Sequence, residues 1–136
     1  WFRDTLNRRD RLLWIVELPK DDLLVPIGTV RLDFDDPPAA WVSVYLLGEY
    51  TGHGYGPDAI GQACRKGFAR WPSMSQASAL IRSDNLPSIK AFRKAGFHIP
   101  DDVPYWCGVS LYRNDLEVPG SEPAKRVEIG GRNATE

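Results

Sequence analysis

Residues 46–57 read Leu46-Leu47-Gly48-Glu49-Tyr50-Thr51-Gly52-His53-Gly54-Tyr55-Gly56-Pro57. Three glycines, at 52, 54 and 56, stand between an apolar run and an amphipathic one. Glycine adopts positive φ without steric cost and lets a ligand come close to the backbone. A chain that turns here from strand into helix can aim the amides of His53, Gly54, Tyr55 and Gly56 at the positive end of that helix, where an anion is favoured. Pro57 suits the first helical turn, since its fixed φ is helical and its missing N–H has no partner to lose. Phosphate or pyrophosphate is the natural guest. The plainer reading is a tight turn with no ligand, and spacing alone does not separate the two. A P-loop would need Gly-Lys-Ser/Thr where Gly56-Pro57-Asp58 stands, and a dinucleotide loop would space its glycines differently.

Outward from this stretch, the periodicities give a domain. Ala40 to Leu47 is a strand apolar on both faces, Trp41, Ser43 and Tyr45 alternating with Val42, Val44 and Leu46, as expected of a central strand. After the turn, Ile60, Ala63, Cys64, Gly67, Phe68 and Trp71 follow helical spacing from about Pro57 to Arg70. Further strands are predicted at 12–18, 26–34, 77–82, 97–99 and 105–112, with a polar turn at Pro19 to Asp22. A short helix is predicted from the cap Asn85 to the C′ glycine Gly96. Phe2 and Leu6 suit the last turns of a helix at the start of the chain. The resulting order predicts an α/β (α+β) domain over 1–115, a mixed and mostly antiparallel sheet with helices on both faces. Residues 116–136 turn to Pro, Gly, Glu and Lys and read as a polar, flexible tail.

The composition removes several classes of function. The 136 residues, 43% hydrophobic, suit one compact domain. Seventeen basic against eighteen acidic side chains give net −1, so no nucleic-acid partner is expected. No apolar run approaches the roughly 20 residues of a membrane span, so none is expected with membrane either. Cys64 and Cys107 are too few for a disulfide framework or a zinc site and read as buried thiols of a cytoplasmic protein.

A second segment carries information only beside the first. Asp84-Asn85-Leu86-Pro87-Ser88-Ile89-Lys90-Ala91-Phe92-Arg93-Lys94-Ala95-Gly96-Phe97 is, alone, a capped helix whose Ile89 and Phe92 face the core. In this order and about 30 residues apart, the two segments resemble the GNAT superfamily of N-acetyltransferases. The first resembles that family's pyrophosphate loop, Arg/Gln-x-x-Gly-x-Gly/Ala, with Gly54 and Gly56 at the glycine positions. The second resembles its Asn-x-x-Ser-Ile-x-x-Phe/Tyr-x-Lys-x-Gly-Phe signature. The opening Trp-Phe-Arg and the strand around Pro26 to Arg31 look most like bacterial nucleotide-sugar and protein N-terminal acetyltransferases.

The resemblance implies that acetyl-CoA, as co-substrate and without a metal, lies between the third and fourth strands where they splay apart. Thr51 and Gly52, with the amides of His53, Gly54, Tyr55 and Gly56, would hold the pyrophosphate. Backbone groups of Leu46 and Leu47 would pair with the pantetheine arm, Asn85 and Ser88 would line it, and Lys94 would approach the phosphate end. The acetyl group would pass directly to a primary amine of a small molecule such as an amino sugar, or of a protein N-terminus.

Departures from the pattern qualify that expectation. Thr51 stands where the family often has Arg or Gln, Phe92 where many members have a Tyr acid, and Trp41 where some place a Glu base. Glu49 at the strand end is the candidate base, acting through water; Tyr105 and Tyr112 are candidate replacement acids, and His53 contributes chiefly backbone. Family members begin with a strand and a helix ahead of the segment that opens here, so either residues are missing from this chain or the fold is truncated; in a truncated fold the first strand is absent and its neighbour's edge needs cover, as in a homodimer. The rival expectation is a non-catalytic module that binds acyl-CoA as a sensor or regulator.

Overall fold

The computed structural model describes residues 10–101, 106–116 and 125–130. Among the described residues, six strands form one sheet: β1 (Arg11–Lys20), β2 (Leu23–Asp36), β3 (Ala39–Leu46), β4 (Gln76–Arg82), β5 (Trp106–Tyr112) and β6 (Glu128–Gly130). Two helices, α1 (Tyr55–Arg70) and α2 (Leu86–Lys94), follow β3 and β4. The sheet order is β5-β4-β3-β2-β1-β6. Every pairing is antiparallel except β3 with β4, which α1 joins as a crossover. The expected α+β architecture with a mixed, mostly antiparallel sheet is therefore present.

Alternation along the strands sends one set of side chains under the helices. Leu12, Val30, Leu32, Val42, Ala77 and Leu111 are all buried on that side. Helix α1 lies so close to the sheet that a Cβ on Gly67 would stand 2.5 Å from Leu32 Cδ1. The end of α2 is set by Gly96 at φ +101, with Gly96 N–H donating to Arg93 O and Phe97 N–H to Phe92 O, both at 3.0 Å. That paired closure is a Schellman motif, and the Phe92 and Phe97 rings meet edge to face across it at 4.9 Å.

Three expectations are revised. Among the described residues both helices lie on one face, so β3 is central in the sheet yet buried on one side only. Trp41 is 44% and Tyr45 62% exposed on the other. The segment 97–99 contributes a single bridge, His98 to Ser110, instead of a strand. The reading of 116–136 as a flexible tail fails for 125–130. Val127 and Ile129 are buried there, and β6 pairs with Ile15–Glu17 of β1. Their alternation with Glu128 is a short strand pattern, and it covers the edge of β1 that was expected to need a second subunit. The helix expected at the start of the chain and Tyr105 fall outside the described residues.

Candidate active site

Strands β3 and β4 pair only through Ala39–Trp41 and Gln76–Ser78. Beyond those positions β3 follows β2 as far as Leu46, whereas β4 follows β5 as far as Arg82. The sheet thus opens as a wedge, as expected. β2 stays pressed against the open end of β3, where a Cβ on Gly28 would stand 2.0 Å from Tyr45 O.

From the tip of β3 the chain makes a 3₁₀ turn over Gly48–Tyr50 and reaches α1 through two left-handed glycines, Gly52 at φ +79 and Gly54 at φ +84. Thr51 Oγ1 donates to Gly48 O at 2.8 Å and closes the turn on itself. Gly54 is the N-cap of α1. A glycine cap has no side chain to accept from the first turn, and Pro57 carries no N–H. The donors left at this helix end are the amides of Gly54, Tyr55 and Gly56. Those groups, together with the positive end of a 16-residue helix, favour a bound anion.

Leu46, Gly56 and Ala91 come together at the open end of the wedge; a Cβ on Gly56 would stand 3.7 Å from Leu46 Cδ1 and 3.6 Å from Ala91 Cβ. Gly54 and Lys94 line one groove of about 450 Å³, along with Arg65, Asp58, His98 and Arg126. Its size is that of an ordinary small-molecule site. Asn85 and Ser88 stay outside that groove. Asn85 Oδ1 accepts the Ser88 N–H at 3.3 Å as the cap of α2. His53 is exposed and its ring stacks on Tyr55 at 5.8 Å. Leu47 and Glu49 are exposed at the open end of β3. Tyr112 lies opposite Gln76, at the closed end of the seam, which takes it away from the wedge as a replacement acid. Phe92 is buried in the core, and Cys64 is buried with its thiol pushed up to about 12 by desolvation, against a smaller lowering by Arg65, so it is no nucleophile.

Two residues of this region went unread in the sequence. Asp58, buried in the first turn of α1, accepts the backbone N–H groups of Arg126 at 2.7 Å and Val127 at 2.8 Å. Arg126 in turn lays its guanidinium along the loop, Nη1 donating to His53 O at 3.3 Å. The available signal was the Val127-Glu128-Ile129 alternation after a basic pair, too short to place against residues 58 and 53.

Comparison with known proteins agrees with this geometry. The family model described as an acetyltransferase (GNAT) domain matches residues 1–98. No curated protein matches the sequence. A domain from Methanocaldococcus jannaschii superposes with a TM-score of 0.69 at 17% identity, over 82% of this chain and 72% of that one. Spermidine N-acetyltransferase from Vibrio cholerae, solved with CoA and spermine, superposes with a TM-score of 0.67 at 14% identity, over 84% and 72%. RimJ from Mycobacterium smegmatis, solved with CoA-disulfide, gives 0.59 at 17% identity, over 68% and 50%. These likenesses are of fold, while the family model covers more than half of the sequence; the chain belongs to the GNAT family of acetyltransferases and is an acyltransferase of that family.

Proposed function

We propose that this chain transfers the acetyl group of acetyl-CoA directly to a primary amine, either of a small molecule such as an amino sugar or of a protein N-terminus. The observation that carries the proposal is the wedge between β3 and β4, which ends at the glycine N-cap of α1. In this reading the amides of Gly54, Tyr55 and Gly56, with Gly52 and His53 shaping the turn, hold the diphosphate. Leu46, Leu47, Asn85 and Ser88 flank the pantetheine arm. Lys94 reaches the phosphate end from the groove it shares with Gly54.

The reaction needs a neutral amine held about 3–3.5 Å from the thioester carbon, with donors on the carbonyl oxygen. The amine nitrogen forms a C–N bond to that carbon, the C–S bond breaks, and the sulfur leaves as the CoA thiolate. The proton lost by nitrogen passes through water to Glu49, exposed at the open end of β3. With phenylalanine at 92, the thiolate takes its proton from solvent. An acceptor of low pKa, such as a sugar amine or an α-amino group, eases the base's task. The two unpaired buried thiols, Cys64 and Cys107, favour a reducing compartment such as the cytoplasm.

Thermal unfolding with acetyl-CoA, against adenosine 3′,5′-bisphosphate as a control without the pantetheine arm, tests the reading. Ligand at about a hundred times its dissociation constant adds roughly 2.7 kcal/mol, a rise of several degrees. No rise with acetyl-CoA would overturn the proposal. Transfer of labelled acetyl to amino sugars or peptide N-termini is expected next. Binding with transfer to neither would point instead to a non-catalytic acyl-CoA sensor or regulatory module.

A further inference from the structure

The diphosphate loop has a threonine, Thr51, where the family often has an arginine or glutamine, and its hydroxyl is turned inward onto Gly48 O. A cation nevertheless reaches the loop, from a segment some seventy residues further along the chain. Arg126 Nη1 donates to His53 O at 3.3 Å, and a Cβ on Gly54 would stand 3.0 Å from that same nitrogen. The guanidinium therefore lies directly against the N-cap of α1, beside the amides that the first turn leaves open.

The segment around it is held there by four contacts, none involving the arginine side chain. The amides of Arg126 and Val127 donate to the buried Asp58 carboxylate at 2.7 and 2.8 Å. Gln62 Nε2 donates to Val127 O at 2.7 Å, and Ile129 pairs with Val16 in the sheet. Helix α1 thus presents two acceptor or donor side chains, Asp58 and Gln62, one turn apart, and both grip the segment that carries Arg126. The arginine side chain itself is exposed at the mouth of the groove that also holds Lys94. A guanidinium carries five N–H donors in a planar fork, and the contact to His53 O engages one of its nitrogens. That fork matches the oxygens of a phosphate group, and a charged hydrogen bond of this kind is roughly twice as strong as a neutral one.

We infer that Arg126 is the cationic contact for the diphosphate of acetyl-CoA at this loop, supplied from the C-terminal segment in place of the side chain that Thr51 lacks. The inference rests on the acetyl-CoA reading above and adds to it a residue outside both sequence motifs. It also shows why substitution of Gly54 is an impure probe of the loop: any side chain there meets Arg126 as well as the ligand, and is strained at φ +84.

The test is calorimetric titration of the full chain with acetyl-CoA and with S-acetylpantetheine, which has the same thioester arm and no phosphate. Wild type is compared with Arg126→Met and Arg126→Lys, each checked for an unchanged melting temperature. The methionine variant is expected to bind acetyl-CoA about tenfold more weakly, equivalent to about 1.4 kcal/mol, and S-acetylpantetheine as wild type does. The lysine variant, which keeps the charge without the fork, is expected to fall between them. Added salt should weaken acetyl-CoA binding more steeply in wild type than in the methionine variant. Equal acetyl-CoA affinity in all three proteins would overturn the inference and leave the function standing. A loss in the same proportion for both ligands would also overturn it, making Arg126 a prop of the loop. Should the methionine variant not fold, Arg126→Gln carries the same comparison, with the same two overturning results. Wild type that binds no acetyl-CoA would instead overturn the acetyl-CoA reading, and this inference with it.

Discussion

Cys64 sits on the stripe of α1 that faces the sheet, fully buried, and desolvation raises its thiol from the ordinary 9.0 to about 12. The sign of its contribution follows. Between those values the unfolded thiol loses its proton while the folded one keeps it, so the folded state binds more protons. This part of the stability is whole below pH 9 and declines as pH rises from about 9 towards 12. We expect Cys64 to react with a maleimide at pH 8 only through opening of the fold, at a rate that rises with added urea. Prompt stoichiometric labelling of the native protein at Cys64, read by mass spectrometry, would contradict this. Residues such as Cys64, Asn85 and Gly96 were legible in the sequence because helical spacing and capping are decided within a few neighbours. Asp58 and Arg126 were not, because their meaning lies in contacts 68 to 73 positions apart.

Helix α1 shows the same division along one element. Its apolar stripe and its glycine-rich start are written locally. Its C-terminal end is closed by a residue from far away. Arg113, in the 3₁₀ turn after β5, donates to Phe68 O and Trp71 O at 3.1 Å and to Met74 O at 2.7 Å, with its guanidinium 4.9 Å above the Phe68 ring. Cation and fork both suit the negative end of a helix. Arg113→Met is expected to cost about 2–3 kcal/mol, the usual scale for losing charged hydrogen bonds, and Arg113→Lys to recover less than half. Urea unfolding at fixed pH measures both, and an unchanged midpoint in the methionine variant would show that these contacts are replaced by water without loss. The burial of β3 on two faces failed as an expectation for a related reason. The alternation of Trp41, Ser43 and Tyr45 with Val42 and Val44 records what each side chain tolerates, whereas the number of covered faces depends on where the helices settle.

For the whole molecule, β6 is the element that a composition-based reading assigned elsewhere. It closes one edge of the sheet over Ile15–Glu17, and with the two residues just before it buries Val127 and Ile129 and gives Asp58 its two amide donors, Arg126 and Val127. A chain ended at Leu116 would leave that carboxylate in the first turn of α1 without its partners and β1 with an open edge. Its melting temperature is expected to fall by several degrees and its mass in light scattering to rise through edge pairing. An unchanged melting temperature would mean that 125–130 adds nothing to the fold. The succession of strands along the chain was legible from five strand patterns, and the wedge from the family resemblance that the two motifs carry. The edge strand was not, since three residues carry too little periodicity.

The three-residue seam between β3 and β4 has a mechanical side. On one side of it stand β6, β1, β2 and β3, on the other β4 and β5, and the backbone bonds across it stay within Pro38–Trp41 and Ser75–Ser78. A sheet joined so narrowly holds its two parts together through α1 and the side chains beneath it, not through a continuous ladder. Cooperativity is then weakest along this line, and amides of β5 should exchange with solvent through openings that leave β1 and β2 protected. A ligand arm hydrogen-bonded to both lips would act as the missing stitches, turning two loosely coupled units into one that unfolds as a whole.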